Sequence, residues 1–330
     1  MKAALLLIAA ALAVAACQTQ QSVPAGPRLS QLPPVTHPED NPATPDKLAL
    51  GRQLFYDQRL SLSGTASCES CHYRHLGWTD GETLSKRPNG VVNPRHTPTL
   101  YNVGYLKLWY WDGRATTLNG QITAAWVNQM ATPDTKVIAA RLDAIPGYKA
   151  QFQKVFGAAP TPENIVSALA AHIRTMNSGD SPWDRHEKGE RGVVSADTIA
   201  GFNVFMGKGR CAVCHTPPLF TDGNFHNIGL ELGKGKPDLG RGPISKDPKE
   251  NSAFKTPTLR SVGISGPYFH DGSAVTLEEA VRYMARGGNA DPNKTAALVD
   301  AGLSEREVTQ LVAFLRSLTS DEPAVKPALP

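Results

Sequence analysis

Two short segments share one pattern: Cys68-Glu69-Ser70-Cys71-His72 and Cys211-Ala212-Val213-Cys214-His215. Two cysteines three positions apart, followed at once by histidine, form the attachment signature of a c-type haem. The thiols add across the vinyl groups, and the adjacent imidazole is placed to give its nitrogen to the iron as proximal ligand. Zinc sites and redox dithiols also use paired Cys-x-x-Cys, but neither accounts for a histidine directly after both second cysteines. The chain has five cysteines. Four serve the two motifs and Cys17 is the fifth, so no pair is left for a disulfide. The expected cofactors are two covalently bound haem c groups, held by Cys68, Cys71, Cys211 and Cys214, with His72 and His215 on the irons.

With one histidine on each iron, the opposite face decides the chemistry. A methionine there gives a six-coordinate electron carrier, whereas an open face lets peroxide or oxygen bind. An internal repeat allows the two faces to be compared. Thr97-Pro98-Thr99-Leu100, Asp112-Gly113 and Leu118 return as Thr256-Pro257-Thr258-Leu259, Asp271-Gly272 and Leu277, all at one offset of 159 residues. Thr79-Asp80-Gly81 likewise answers Thr221-Asp222-Gly223. In the second copy a helix predicted over 277–286 carries Met284, fourteen residues after His270, and the offset puts Ala125 at the matching place in the first copy. Alanine cannot ligate iron. Met284 is therefore the candidate axial ligand of the second haem, with a core methionine as the plainer reading, and the first haem keeps an open face. Met130, Met176 and Met206 read as packing residues. His75, His96, His172, His186 and His226 read as structural or surface histidines before distal ones.

The elements that must position these groups are helical. Residues 46–57 read as a helix before the first motif, and 195–206 as a second, with Ser195 as N-cap and an apolar face of Ile199, Phe202 and Phe205. Residues 304–318 open on a Ser-Glu-Arg-Glu capping box and carry Val308, Leu311, Val312 and Leu315 at helical spacing. No strand ladder is evident. The fold class expected is mainly α, with two tandem cytochrome c-like domains, each around one covalent c-type haem. The boundaries expected are a signal peptide with lipobox at 1–17, a flexible tether at 18–44, an N-terminal domain at 45–188, a C-terminal domain at 189–320 and a tail at 321–330.

Apolar residues make up 41% of the 330, enough for two ordinary cores, and 26 Pro with 29 Gly fit short helices joined by ordered loops. The net charge of +4 contains no basic run, which excludes nucleic acid as a partner. After Met1-Lys2, an apolar stretch from Ala3 to Ala16 reads as a secretory signal too short to span a bilayer. It ends Val14-Ala15-Ala16-Cys17, like a bacterial lipobox, which would make Cys17 the lipidated first residue; ordinary cleavage nearby is the alternative. Gln18 in place of Asp points to the outer membrane, so the address expected is the periplasm, with membrane contact only through the lipid. Residues 18–44, rich in Gln, Pro and Thr, read as the tether.

Pro94-Arg95-His96-Thr97-Pro98-Thr99-Leu100, Tyr110-Trp111-Asp112-Gly113-Arg114, Phe254-Lys255-Thr256-Pro257-Thr258-Leu259-Arg260 and Pro267-Tyr268-Phe269-His270-Asp271-Gly272 join the two haem motifs in a wider pattern. Over residues 45–318 the chain resembles the bacterial di-haem cytochrome c peroxidases and their relative MauG, which matures a tryptophan-derived cofactor in methylamine dehydrogenase. The resemblance implies that the His72 haem is the peroxidatic one and the His215 haem the electron-transfer one. It implies that Trp111 lies between them as an electron relay, where a buried aromatic is the bland alternative. Met284 falls where the peroxidases place their axial methionine and MauG-like members have tyrosine.

Three departures from the family pattern matter. Gln129-Met130 stands where the peroxidases have a carboxylate before methionine, and an amide can hydrogen-bond peroxide but relays protons poorly. Gln121 matches a second distal polar residue. The family's interhaem calcium uses an asparagine where this chain has His96, with carbonyl ligands mapping to Ser265 and Pro267; imidazole substitutes poorly for a hard oxygen donor, so calcium, another cation or none remain open. Residues 81–93 contain no histidine to cap the first haem.

The leading expectation is a peroxide-activating oxidoreductase drawing electrons from a small cytochrome c or cupredoxin. Close behind is a MauG-like enzyme that oxidises side chains of a partner protein, favoured by Gln129 and the missing loop histidine. A third reading is an electron-transfer cytochrome with no peroxide chemistry. The sequence leaves room for a homodimer.

Overall fold

The computed structural model describes residues 29–320 and 325–330. The signal segment and Cys17 lie outside them, as does the tether up to residue 28. Among the described residues there are ten α-helices: α1 (Pro45–Tyr56), α2 (Leu118–Ala124), α3 (Thr135–Asp143), α4 (Pro146–Phe156), α5 (Pro162–Ile173), α6 (Pro182–Glu187), α7 (Ala196–Met206), α8 (Gly242–Ser245), α9 (Leu277–Ala285) and α10 (Glu305–Ser317). The strands are one antiparallel pair of two residues each, β1 (Phe225–His226) and β2 (Phe254–Lys255). No helix among the described residues is long and apolar enough to cross a membrane.

Local chemistry explains where the helices begin. Thr44 caps α1, whose first residue is Pro45, and Ser195 accepts from the Thr198 amide at the start of α7. Capping boxes open α9, between Thr276 and Glu279, and α10, between Ser304 and Glu307. On α10, Val308, Leu311, Val312 and Leu315 are all buried, as the spacing predicts. On α7 the inward residues are Val204 and Phe205, while Ile199 is exposed.

Two hydrophobic cores result. The first gathers Leu50, Leu54, Phe55, Trp126, Tyr148, Phe152 and Leu169; the second gathers Trp183, Phe205, Phe220, Val281, Leu311 and Phe314. In each, two helices cross at a glycine. A Cβ on Gly51 of α1 would come within 2.0 Å of the Ala168 carbonyl oxygen on α5, and one on Gly201 of α7 within 1.9 Å of the Gln310 carbonyl oxygen on α10. Only a residue without a side chain permits backbones this close.

Packing corrects two expected boundaries. The line at 188 falls after α6, yet the Trp183 ring of α6 packs tilted against Phe202 and edge-on to Phe314 at the second core. Asp184 also pairs with the fully buried Arg260 at 2.7 Å. The chain therefore crosses between cores before Pro182. Within the described part of the expected tether, Ser30 and Asn41 are bonded to the body of the protein. Ser30 is buried, its amide bonds Glu187, its carbonyl accepts from Arg260, and Asn41 is buried with its amide on the Ser167 carbonyl. The polar composition that reads as a tether is here satisfied by partners far along the chain. Beyond α10, residues 325–330 lie on the first core's helices: Gln53 bonds the Ala328 carbonyl, Arg59 that of Pro330, and Lys326 pairs with Glu69 at 2.8 Å.

The 159-residue repeat is a repeat of conformation. Asn102 and Ser261, one offset apart, have φ of 63° and 58°, and Tyr110 and Phe269 have 66° and 70°. Thr99 donates to the Gly77 carbonyl at 2.6 Å, and Thr258 to that of Leu219 at 2.6 Å. The copies also join reciprocally. The His96 amide donates to the His270 carbonyl at 2.7 Å, and the Lys255 amide to the Trp111 carbonyl at 2.8 Å. His96 matches Lys255 and Trp111 matches His270 at the same offset, so the junction has an approximate twofold relation.

Candidate di-haem centre

Each Cys-x-x-Cys-His segment turns as a short 3₁₀ helix, over Cys68–Ser70 and Cys211–Val213. Behind each, the chain folds back so that a carbonyl meets the histidine. Nδ1 of His72 lies 2.7 Å from the Trp78 carbonyl oxygen, and Nδ1 of His215 lies 3.0 Å from that of Phe220. Trp78 and Phe220 both take left-handed backbone conformations, φ 62° and 52°, which side-chain-bearing residues adopt rarely. A carbonyl on Nδ1 fixes the proton there and leaves Nε2 as a bare, oriented donor to metal. Burial lowers the pKa of both imidazoles and so keeps them in the neutral, ligating form.

The cysteines do not have the character of a redox dithiol. Burial pushes the thiols of Cys68 and Cys211 up to about 12 and that of Cys71 to about 11. A redox dithiol needs the opposite shift. The four cysteines are half-buried and none forms a disulfide, which suits sulfurs held as uncharged thioethers. These residues fit covalent haem c at both motifs.

A cavity of about 790 Å³ is lined by Cys71 and His72 and also by Gln121, Ala125 and Gln129. The last two bound a π-turn, Ala125–Gln129, in which the Met130 amide reaches back to the Ala125 carbonyl at 3.0 Å. Such widened turns are common at functional sites. Oε1 of Gln129 is buried without a hydrogen-bond partner, an acceptor held ready for a ligand's O–H. Tyr110 and Arg114 line the same cavity and were not singled out from sequence. The Arg114 guanidinium sits 3.6 Å from the Tyr110 ring centroid, and the Tyr110 hydroxyl donates to the Gln121 carbonyl at 3.3 Å.

Trp111 also lines this cavity and is tied to both repeat copies. Its indole N–H donates to the His96 carbonyl at 2.9 Å, and its own carbonyl takes the Lys255 amide. Its ring meets that of His270 edge-on, 6.4 Å between centroids. His270 is buried, stacks on Phe254 at 3.5 Å and bonds Glu231 through Nε2 at 2.9 Å. The repeat offset pairs Trp111 with His270 and so could have revealed this contact.

Met284 is half-buried near the end of α9 and stands apart from the second core, to which Leu277 and Val281 of the same helix contribute. Its neighbour Tyr283, the other side chain here that could ligate iron, is engaged elsewhere: its hydroxyl donates to the Ile228 carbonyl at 2.8 Å and accepts from the Asn289 amide. Met130 and Met176 belong to the first core, but Met206 is exposed, so the packing reading fails for it. Among the histidines, His75 is exposed, His186 stacks on Trp183, His172 contacts Phe55 and His226 bonds Asp222.

His96, Ser265 and Pro267 share the central cavity. Nδ1 of His96 bonds the Glu82 carbonyl at 2.8 Å, and Nε2 is buried without a partner. The charged side chains lining the cavity are Arg95, Arg114, Lys236, Lys255 and one carboxylate, Asp238, which the Arg95 guanidinium holds at 2.7 and 2.9 Å. Calcium takes six to eight hard oxygen donors, and here an imidazole nitrogen stands among four cationic side chains and one carboxylate that is already paired. This donor set does not fit it.

A family model described as di-haem cytochrome c peroxidase matches residues 45–192. The chain is 38% identical to a cytochrome-c peroxidase of Denitromonas iodatirespirans, over 97% of this chain and 95% of that protein. It is 40% identical to the methylamine utilization protein MauG of Methylorubrum extorquens, over 90% and 85%. A solved structure of a MauG-like protein associated with microbial copper homeostasis superposes with a TM-score of 0.83 at 32% identity, covering 88% of this chain and 94% of that one. Similarity of this extent, over a chain that places two haem-binding histidines in repeated surroundings, settles the family: this protein belongs to the bacterial di-haem cytochrome c peroxidases and MauG.

Proposed function

We propose that this di-haem oxidoreductase reduces hydrogen peroxide at the haem on His72, with electrons entering through the haem on His215. Each repeat copy is read as one cytochrome c domain. When bound, the two haems supply the iron that takes peroxide and a second redox centre. The observation that carries the reading is Trp111, which lines the cavity at His72 and hydrogen-bonds to groups of both copies. An indole held from both sides at a junction is a fixed, oxidisable bridge, and rigid placement is what such a relay needs.

The chain's own groups then divide the work. His72 and His215 present Nε2, with the opposite nitrogen anchored on a carbonyl. Met284 would hold the second haem and suit it to carrying electrons, while Ala125 at the matching place has no donor to offer the first. Gln121 and Gln129 position peroxide, and Gln129 accepts a hydrogen bond without relaying the proton. The overall change is peroxide, two protons and two electrons going to two waters. The electrons come from a small cytochrome c or cupredoxin.

A second reading is favoured by Gln129 and by the histidine-free stretch at 81–93: oxidation of side chains on a partner protein, as the MauG relatives suggest. Export to the periplasm with a lipid on Cys17 suits either reading. The test is steady-state oxidation of reduced cytochrome c by hydrogen peroxide with the purified di-haem protein. Fast turnover supports the peroxidase. Negligible turnover, with peroxide still altering the haem spectrum, supports the partner-oxidising enzyme; no reaction with peroxide at all defeats both.

A further inference from the structure

The junction between the copies has donors and charge that disagree with the calcium ion the family resemblance implies. His96 is 4% exposed, and its Nδ1 contact with the Glu82 carbonyl puts the proton on Nδ1. The Nε2 lone pair is buried and unmatched. A nitrogen lone pair is a poor ligand for calcium, and Ser265 and Pro267 add no charge. The one carboxylate in the cavity lining, Asp238, is already paired with Arg95.

Positive charge is supplied by the chain instead. Lys255 lines the same cavity and has no carboxylate partner among the described residues. It is the repeat counterpart of His96, and their amides make the two reciprocal bonds of the junction. A half-buried ammonium that lines a cavity without a protein counter-ion favours an anion there. Haem propionates are the anions that two haems at this junction would bring. Burial lowers the Lys255 ammonium to about 8.

We infer that the junction of this protein works without a divalent cation, with the Lys255 ammonium and the His96 imidazole standing where the family places calcium. The inference rests on the di-haem reading but not on peroxide turnover.

The experiment uses the holoprotein, with two haems per chain verified by pyridine haemochrome. It is dialysed against EGTA and then given excess calcium, with metal content, low-temperature EPR and both haem midpoint potentials measured at each stage. The expected result is substoichiometric calcium throughout and unchanged EPR and potentials. Stoichiometric calcium whose removal alters the EPR or either potential overturns the inference. Lys255→Met should shift at least one haem potential downward, because losing a nearby positive charge favours ferric iron, while Lys255→Arg should leave both near their original values. Adding His96→Asn to Lys255→Met should create a response to calcium. Unaltered potentials in Lys255→Met, or no calcium response in the double variant, would count against the roles assigned to these side chains. These readouts stand whether or not the protein proves to be a peroxidase.

Discussion

At the scale of single residues, the proposed function gives Gln129 and Met284 the decisive roles at the two haems. Gln129 offers an unmatched acceptor but no transferable proton. Gln129→Glu should therefore speed the reaction with peroxide, by about 100-fold or more given what a placed acid or base contributes; a rate equal to wild type by stopped-flow spectroscopy would refute the role. Met284→Ala should turn the second haem high-spin, and an unaltered optical and EPR spectrum would remove Met284 from the iron. Glu231 carries a pH prediction. Burial alone would raise its carboxyl, but hydrogen bonds from His270, Lys234 and the Asp238 amide outweigh that and bring it down to about 2 from 4.5. A carboxyl with a lowered folded pKa stabilises the fold above its unfolded value and loses that contribution as pH falls. The melting-temperature advantage of wild type over Glu231→Gln should thus be full above pH 4.5 and vanish towards pH 2; a difference independent of pH would contradict this.

At the scale of elements, the haem loops are held by helix pairs that touch through glycine. Gly51→Ala and Gly201→Ala each force a methyl into a facing carbonyl, and overpacking of this kind costs roughly 1–3 kcal/mol. Urea melts should show the loss, with each variant weakening mainly its own core; stability equal to wild type would mean the helices can part freely. Much of this level was readable beforehand. Caps at Ser195 and Ser304 and the apolar spacing on α10 are local signals, and local signals survive in sequence. What could not be read depends on partners distant along the chain. Ser30 and Asn41 look like tether residues until Glu187, Arg260 and Ser167 meet them. Ile199 continues a helical pattern that the second core does not cover, and α6 sits with the second core because Trp183 finds Phe314. In the site, the histidines and cysteines are announced by spacing, and Gln121 and Gln129 by resemblance. Tyr110 and Arg114 enter only because the loop before α2 folds into the cavity.

At the scale of the whole molecule, the central claim is that two repeated halves act as one redox unit through Trp111, whose hydrogen bonds span the reciprocal junction. The most direct test adds one equivalent of hydrogen peroxide to the protein and follows both haems by rapid-freeze EPR and stopped-flow absorption, in wild type and in Trp111→Phe. The account predicts that in wild type the signals of both haems change together, and that in Trp111→Phe the second haem lags behind the first. If only the first haem ever responds in wild type, or if Trp111→Phe leaves the two changing in step, the halves are not joined through Trp111 and the account is wrong.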